Sequence, residues 1–275
     1  MATPPDAAAR PEDWIGLVRN LRRWRRADER APHKPLLMLY ALARFQQGAT
    51  ELPFSTAEVH LRRLLDEFGP PRPTHPGYPF HYLVNDGVWE VRRGDGAPGS
   101  PGAEVGKLRA AEAVGSLAAD LRADLTADPG LAARLAWTIL ESAFPPSLHA
   151  EICAEVGLDL TPVGPGEAAW PAWSAERRVR DAALRAQVLD AYACACAFCG
   201  YDGTLGRVPV GLEAAHVRWW AYDGPDELGN SLCLCSLHHR LLDAGVLGLT
   251  GDLRIAVSGS FRGRGPAAAR AVADL

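Results

Sequence analysis

The chain has 275 residues, enough for one large domain or two ordinary ones, and its 48% hydrophobic and 23% charged residues suit a soluble globular protein. A net charge of -4 supplies no global basic field for nucleic acid, so only local patches are left to carry such a role. No apolar run approaches the ~20 residues that span a bilayer, and MATPPDAAARPEDW lacks the layout of a signal peptide, so a cytoplasmic location with no membrane contact is expected.

In chain order, residues 1–11 are Ala/Pro-rich. WIGLVRNLRRWRR, residues 14–26, predicts a helix with Trp14, Leu17, Val18, Leu21 and Trp24 on one face. Arg19, Arg22, Arg23 and Arg26 fall largely on the other side, as a solvated face or as a phosphate-contacting surface. RAPHKPLLMLYALARFQQG predicts a loop and then a buried helix, with Pro35 at a first helical position and Gly48 just past the end. STAEVHLRRLLDEFG opens with Ser55 and Glu58 at capping-box spacing and closes at Gly69. After a Pro/His-rich loop, FHYLVNDGVWEV predicts a β-hairpin turning at Asn85-Asp86-Gly87. A Gly/Pro-rich loop covers residues 94–103, and residues 107–157 predict three helices broken near Pro129 and Pro145-Pro146. A Pro/Gly/Trp-containing linker follows, then the helix RDAALRAQVLDAYA, short β-like runs and a cysteine-histidine cluster.

Five of the six cysteines lie beyond residue 190, which suits a local site better than a disulfide framework. Cys196-Ala-Phe-Cys199 and Cys235-Ser-Leu-His238 are two tight turns, each presenting a pair of ligands, as a tetrahedral structural Zn²⁺ requires. Cys194 and Cys233 compete as alternative ligands, and a set of small buried thiols is the blander reading. His216 ends the strand-like run LEAAHV, Asn230 precedes the run SLCLC, and His239 adjoins His238 at the start of a helix. Helix neighbours face about 100° apart, so His238 can turn towards zinc while His239 faces elsewhere.

With AAH ending at His216, NSLCLC beginning at Asn230 and HHRLLD beginning at His238, residues 181–258 resemble an HNH endonuclease domain of the McrA-like type. The resemblance implies a ββα-metal fold that hydrolyses phosphodiesters with one divalent cation, Mg²⁺ or Mn²⁺. It implies that His216 is the general base, that His239 holds the ion, and that Asn230 orients His216 or reaches the ion through its amide oxygen. Cys196, Cys199, Cys235 and His238 correspond to that family's zinc knuckles. Many members carry an acidic ion ligand directly before the first histidine. Here that position is Ala215, which leaves Glu213, two residues back on the same strand face, as a candidate substitute and a metal site with few protein ligands, or none that works, as the other readings. The neighbouring RWW, residues 218–220, packs the domain or contacts DNA.

RAPHKPLLMLYAL at residues 30–42, HPGYPFHYLVNDGVWEV at residues 75–91 and AFPPSLHAEI at residues 143–152 resemble the sulfur-binding domain of type IV restriction enzymes, over residues 12–160. That domain recognises DNA with a phosphorothioate in its backbone. Sulfur is larger, softer and less hydrated than oxygen, so its recognition calls for a shallow apolar cup in a basic surface. The resemblance gives the cup to Tyr78 and Pro79, with Phe80 packing and Tyr82 at the margin. It gives contacts with the modified backbone and nearby base edges to His33 and Lys34, and Arg30 could hold flanking phosphates.

The expected fold class is α+β: a mostly helical DNA-recognition domain over 12–160 with a small β-hairpin, a linker over 161–180, and a zinc-braced ββα-metal (HNH) domain over 181–275. The expected function is restriction of phosphorothioated double-stranded DNA, with a homodimer or sequential nicking needed for a double-strand break. The alternatives are an HNH nuclease for another modification, such as methylcytosine, and a non-catalytic zinc-stabilised DNA-binding protein.

Overall fold

The computed structural model describes residues 11–22, 25–26, 29–30, 32–69, 75–160, 183–219, 222, 224–273 and 275. The linker at 161–180, Trp24, Trp220 and the side chain of Arg30 lie outside the described residues. The chain divides into two compact units, Met1–Pro171 and Ala172–Leu275. No helix among the described residues is long and apolar enough to cross a membrane.

In the first unit, α1 (Pro11–Arg19), β1 (Arg25–Arg26) and β2 (Glu29–Arg30) precede α2 (His33–Gln46). The helix expected over 14–26 therefore ends at Arg19, and the small antiparallel pair of β1 and β2 occupies its expected last turn. Two bonds make the break. The Asn20 amide side chain donates to Gly16 O at 2.9 Å, and the Arg22 N–H, instead of continuing the helical ladder, donates to the Asp86 carboxylate at 2.8 Å. Of the expected apolar face, Trp14, Val18 and Leu21 are buried while Leu17 is exposed, and the Trp14 indole donates to Asp124 at 2.6 Å.

From Pro35 to Ala43, α2 is buried on every side, because PLLMLYALA offers no polar face to water. It begins at His33 rather than Pro35, which sits within the first turn, where a missing N–H costs nothing. Around it pack α3 (Phe54–Phe68), α4 (Gly77–Tyr82), α7 (Pro129–Ala143) and α8 (Pro146–Val156). A three-stranded antiparallel sheet, ordered β3 (Leu52–Pro53), β5 (Val114–Leu117), β4 (Trp89–Arg92), lies beside α3. The three helices expected between 107 and 157 are α6 (Ala119–Ala127), α7 and α8, with breaks at the expected prolines. Asp128 caps α7 by accepting the Gly130 N–H at 3.0 Å. The short α5 (Val105–Ala110) and β5, at six and four residues, are too short to show a periodicity in sequence.

The expected hairpin at 80–91 is corrected. Its first arm is α4 followed by a 3₁₀ turn, Leu83–Asp86, and only its second arm is a strand, β4. Phe80 and Leu83 are fully buried while Tyr78, Tyr82 and Val84 are exposed, a helical spacing rather than an alternating one. Phe80 packs edge-on against Phe54 and Trp89, and the Trp89 indole donates to Phe80 O at 3.0 Å. Gly115 lets that indole lie on the sheet, since a Cβ there would fall 2.0 Å from Trp89.

The capping box at Ser55 and Glu58 is also corrected: α3 starts at Phe54 with no side-chain cap. Glu58 is buried and accepts Arg109 Nε and Nη2, each at 2.7 Å, and Arg62 Nη2 at 2.8 Å. The Arg109 fork, against the opposing effect of burial and helped by Arg62, holds the Glu58 carboxyl below its ordinary value. A depressed folded-state value gives stability that is present above the ordinary carboxylate range and lost as pH falls through the folded value. Glu58→Gln is expected to cost about 1–3 kcal/mol at neutral pH. Denaturant melts should show this difference shrinking once the medium is acid enough to protonate Glu58.

The second unit starts with α9, residues 183–191, followed by the cysteine turn and the short pair β6 (Thr204–Leu205) and β7 (Val208–Pro209). β8 (Leu212–His216) and β9 (Ser231–Cys235) pair antiparallel in the register Leu212↔Cys235 to His216↔Ser231. α10 (Ser236–Asp243) packs across both, and β10 (Leu247–Leu249), β11 (Ile255–Val257) and α11 (Pro266–Ala273) complete the unit. Its core is small: Leu184, Val188, Leu189, Cys196, Leu212, Ala215, Cys233 and Leu234. Cys233 is thus a packing residue, and Cys194 lies against the same cluster.

Candidate functional site

The turn after α9 carries Cys196 and Cys199, the end of β9 carries Cys235, and the first turn of α10 carries His238. Their ligand atoms all lie within 4.8 Å of one another, and this is the one such cluster of three or more His, Cys or acidic residues among the described residues. His238 Nδ1 is 3.6 Å from Cys196 Sγ and 3.3 Å from Cys235 Sγ, while Cys199 Sγ is 4.0 Å from Cys235 Sγ. The other ring nitrogen, Nε2, is 2.9 Å from Ala271 O in α11, so it carries the hydrogen and Nδ1 turns its lone pair to the thiols. Burial opposes the Cys196 thiolate, but the backbone N–H groups of Cys199, Cys235 and Phe198 and the His238 ring outweigh it and bring the thiol down to about 6. Burial, with the charges of Cys196 and Cys199 beside it, pushes Cys235 up to about 11. Crowded thiolates that raise one another are what a divalent cation relieves. Three soft sulfurs and one imidazole at this separation fit a tetrahedral zinc.

His216, Asn230 and His239 are placed by the same strand pair and helix. His216 ends β8, and its Nε2 is 2.9 Å from Asp226 Oδ1 in the β8–β9 loop. The Asn230 amide clasps that loop. Its Oδ1 accepts the Arg218 N–H at 3.0 Å, and its Nδ2 donates to Arg218 O at 2.8 Å and Pro225 O at 2.9 Å. Both ends of the amide are thus engaged with backbone next to His216. Trp219 stacks on Tyr222 within this loop, their ring centroids 5.4 Å apart.

His239 sits between two carboxylates. Nδ1 is 2.6 Å from Glu213 Oε2 and Nε2 is 3.2 Å from Asp243 Oδ2. Burial lowers its basicity, yet Asp243 and then Glu213 outweigh burial and leave it raised. Ala215 is fully buried in the core, so the carboxylate of this strand face that reaches His239 is that of Glu213, which also accepts Ser236 Oγ at 2.6 Å. Glu213 and His216 share one strand, three residues apart, which is about 10 Å along it. Glu213 and Asp243 thus bond to opposite nitrogens of the His239 ring and, among the described residues, do not converge with it on one point. Asp243 stands at helical i+4 spacing from His239, a signal legible in sequence, whereas Asp226 lies in a loop with no periodicity to mark it.

In the first unit, α4 and the 3₁₀ turn bring residues 77–86 against the start of α2. Lys34 Nζ is 2.5 Å from Asp86 Oδ2, both nearly buried, and the other Asp86 oxygen holds the Arg22 N–H. Asp86, expected as a turn residue, is therefore the acid that fixes Lys34. His33 is half-buried, its shielded Nε2 has no hydrogen-bond partner among the described residues, and burial lowers its basicity. Tyr78 and Tyr82, one helical turn apart, are 53% and 45% exposed with ring centroids 6.1 Å apart, and His75 flanks Tyr78. Pro79, given to the cup by the resemblance, is buried, and Phe80 packs into the core. The surface formed is an aromatic ledge beside a tethered lysine and a neutral histidine.

Comparison with known families matches residues 11–161 to "ScoMcrA-like, DNA sulfur-binding domain" and residues 196–250 to "HNH endonuclease". Comparison with curated proteins finds no match. Among solved structures, the sulfur binding domain of SprMcrA complexed with phosphorothioated DNA is similar at 23% identity and a TM-score of 0.46, over 55% of this chain and 95% of that one. The sulfur binding and SRA domains of ScoMcrA, also complexed with phosphorothioated DNA, are similar at 24% identity and a TM-score of 0.44, over 52% of this chain and 46% of that one. The type IV phosphorothioation-dependent restriction endonuclease ScoMcrA is similar at 23% identity and a TM-score of 0.42, over 60% of this chain and 38% of that one. With the first match spanning more than half of the chain, the protein belongs to the ScoMcrA-like DNA sulfur-binding domain family and joins to that domain an HNH endonuclease domain.

Proposed function

We propose that the protein is a restriction endonuclease that binds duplex DNA carrying a phosphorothioate and hydrolyses its backbone at the HNH site. The observation that carries this reading is the union, in one chain, of the sulfur-binding match over 11–161 and the HNH match over 196–250. Tyr78 and Tyr82 offer the sulfur a weakly hydrated aromatic face, with Pro79 beneath. Lys34 and Arg30 answer the phosphates, and His33, uncharged, is suited to a base edge. Because Lys34 is paired with Asp86, it is held in one place before DNA arrives.

At the HNH site His216 takes the proton of the attacking water. Asn230 holds the loop that sets the His216 ring, which favours an orienting role over ion ligation for its amide. His239, with Glu213 and Asp243 on either side, would hold the divalent cation. That ion, Mg²⁺ or Mn²⁺, polarises the phosphoryl oxygen and stabilises the departing 3′ oxygen when bound. Cys196, Cys199, Cys235 and His238 would hold the structural zinc. Each such site cuts one strand, so a double-strand break calls for two copies or successive nicks.

The test is a titration of the full chain with plain, methylated and phosphorothioated duplexes of one sequence, with Mn²⁺ or Mg²⁺ present. One atom exchanged in an apolar contact should give a preference of about 10- to 200-fold for the sulfur-bearing duplex, and cutting should follow binding. Equal binding and cutting of all three would remove the recognition claim, preference for the methylated duplex would redirect it, and binding without cutting under any divalent cation would leave a non-catalytic DNA-binding protein.

A further inference from the structure

We infer that Asp226 is a positioning residue for His216, fixing the imidazole in the tautomer whose Nδ1 receives the proton of water. The inference rests on His216 being the general base. The acid and the imidazole meet at 2.9 Å and both are largely shielded from solvent, with side chains 16% and 21% exposed.

The loop that brings Asp226 there is fastened on both sides of it. Pro225 O accepts from Asn230 Nδ2 at 2.9 Å, and Glu227 O accepts from Ser231 Oγ at 3.0 Å and from Asn230 N at 3.1 Å. At the loop's start, Val217 N donates to Asn230 O at 2.9 Å. The residues flanking Asp226 are thus pinned to the start of β9, and His216 pairs with Ser231 across the same strand end. The backbone that carries Asp226 cannot move away from the ring without breaking these bonds.

An ionised carboxylate only accepts hydrogen bonds, so His216 Nε2 must carry the hydrogen and Nδ1 keeps its lone pair. In the reaction the water proton passes to Nδ1 while the water oxygen bonds to phosphorus. The P–O3′ bond breaks with its electron pair on O3′, and O3′ takes a proton from solvent. The imidazolium formed lies against the Asp226 carboxylate and later loses its added proton to solvent. Asn230 acts one step further out, by holding the loop.

The experiment uses the full chain as Asp226→Ala, Asp226→Asn and Asp226→Glu, with His216→Ala alongside. It reads the ¹⁵N shifts of the His216 ring, the affinity for phosphorothioated duplex and the single-turnover cleavage rate. The ring of the unaltered protein should show hydrogen on Nε2. Asp226→Ala should give mixed tautomers, unchanged duplex affinity and a rate lower by about 10- to 100-fold. Asp226→Asn keeps the shape of the acid without its charge, so it carries the test if the alanine variant does not fold, and its rate should also fall. Asp226→Glu should recover much of the rate. An unchanged tautomer in Asp226→Ala, or a lower rate without a tautomer change, overturns the inference. If His216→Ala cuts as well as the unaltered protein, the general-base reading fails, and the ring shifts still decide whether Asp226 sets the imidazole.

Discussion

Cys196→Ser is expected to empty the zinc site and unfold the C-terminal unit while the N-terminal unit keeps its structure. The core of the C-terminal unit holds only a handful of buried side chains, and two of them, Cys196 and Cys233, are themselves cysteines. A core that small leaves little surplus over chain entropy. A structural zinc supplies about 10–16 kcal/mol of apparent binding energy in zinc-finger peptides, and such energy is folding energy when the site does not exist in the unfolded chain. The ligands come from the turn after α9, from β9 and from α10, and His238 also reaches α11 through Ala271. Loss of the ion therefore releases four separate elements at once. Zinc content together with thermal melting checks this. A strong chelator added to the unaltered protein should reproduce the effect, and a Cys196→Ser protein that retains zinc and melts as before would refute the site.

His216→Ala should lower the cleavage rate by about 10²–10⁴-fold, the usual worth of a positioned general base. Binding of phosphorothioated duplex should be unchanged, because recognition is assigned to Tyr78, Pro79, Lys34 and their neighbours in the other unit. His239→Ala should behave differently, shifting the dependence on Mn²⁺ or Mg²⁺ to higher concentration, since it removes the imidazole proposed to hold the ion, the ring that Glu213 and Asp243 fix from either side. Single-turnover cleavage across a metal titration separates the two. If both variants lost only duplex affinity, the division of labour between the units would be wrong.

Much of the architecture was legible because its causes are local. The knuckles at Cys196–Cys199 and Cys235–His238 each lie within one turn of chain, so spacing singled out four side chains whose ligand atoms the fold brings within 4.8 Å of one another. The unbroken apolar run of α2 announced a central helix, the prolines at 129 and 145 announced the breaks between α6, α7 and α8, and LEAAH and SLCLC announced the paired strands. His239 and Asp243 share a helix face by spacing, although only the first was singled out.

What the sequence alone could not decide was every choice settled by a partner remote along the chain. FHYLV suits a strand or a helix, and it became a helix and a 3₁₀ turn in which Phe80 packs against Phe54 and Trp89 and Leu83 is buried. Glu58 fits a capping box, yet the Arg109 fork, 51 residues away, claims it. Asp86 reads as a turn residue until it meets Lys34, 52 residues earlier, and Arg22. Asn230 and Asp226 divide the care of His216 through bonds that no periodicity predicts. In the last three cases the physical reason is the same. A propensity is worth a few tenths of a kcal/mol per residue, whereas a buried charge or amide left without its partner costs about 1–3 kcal/mol, so satisfying distant polar groups overrides the local preference.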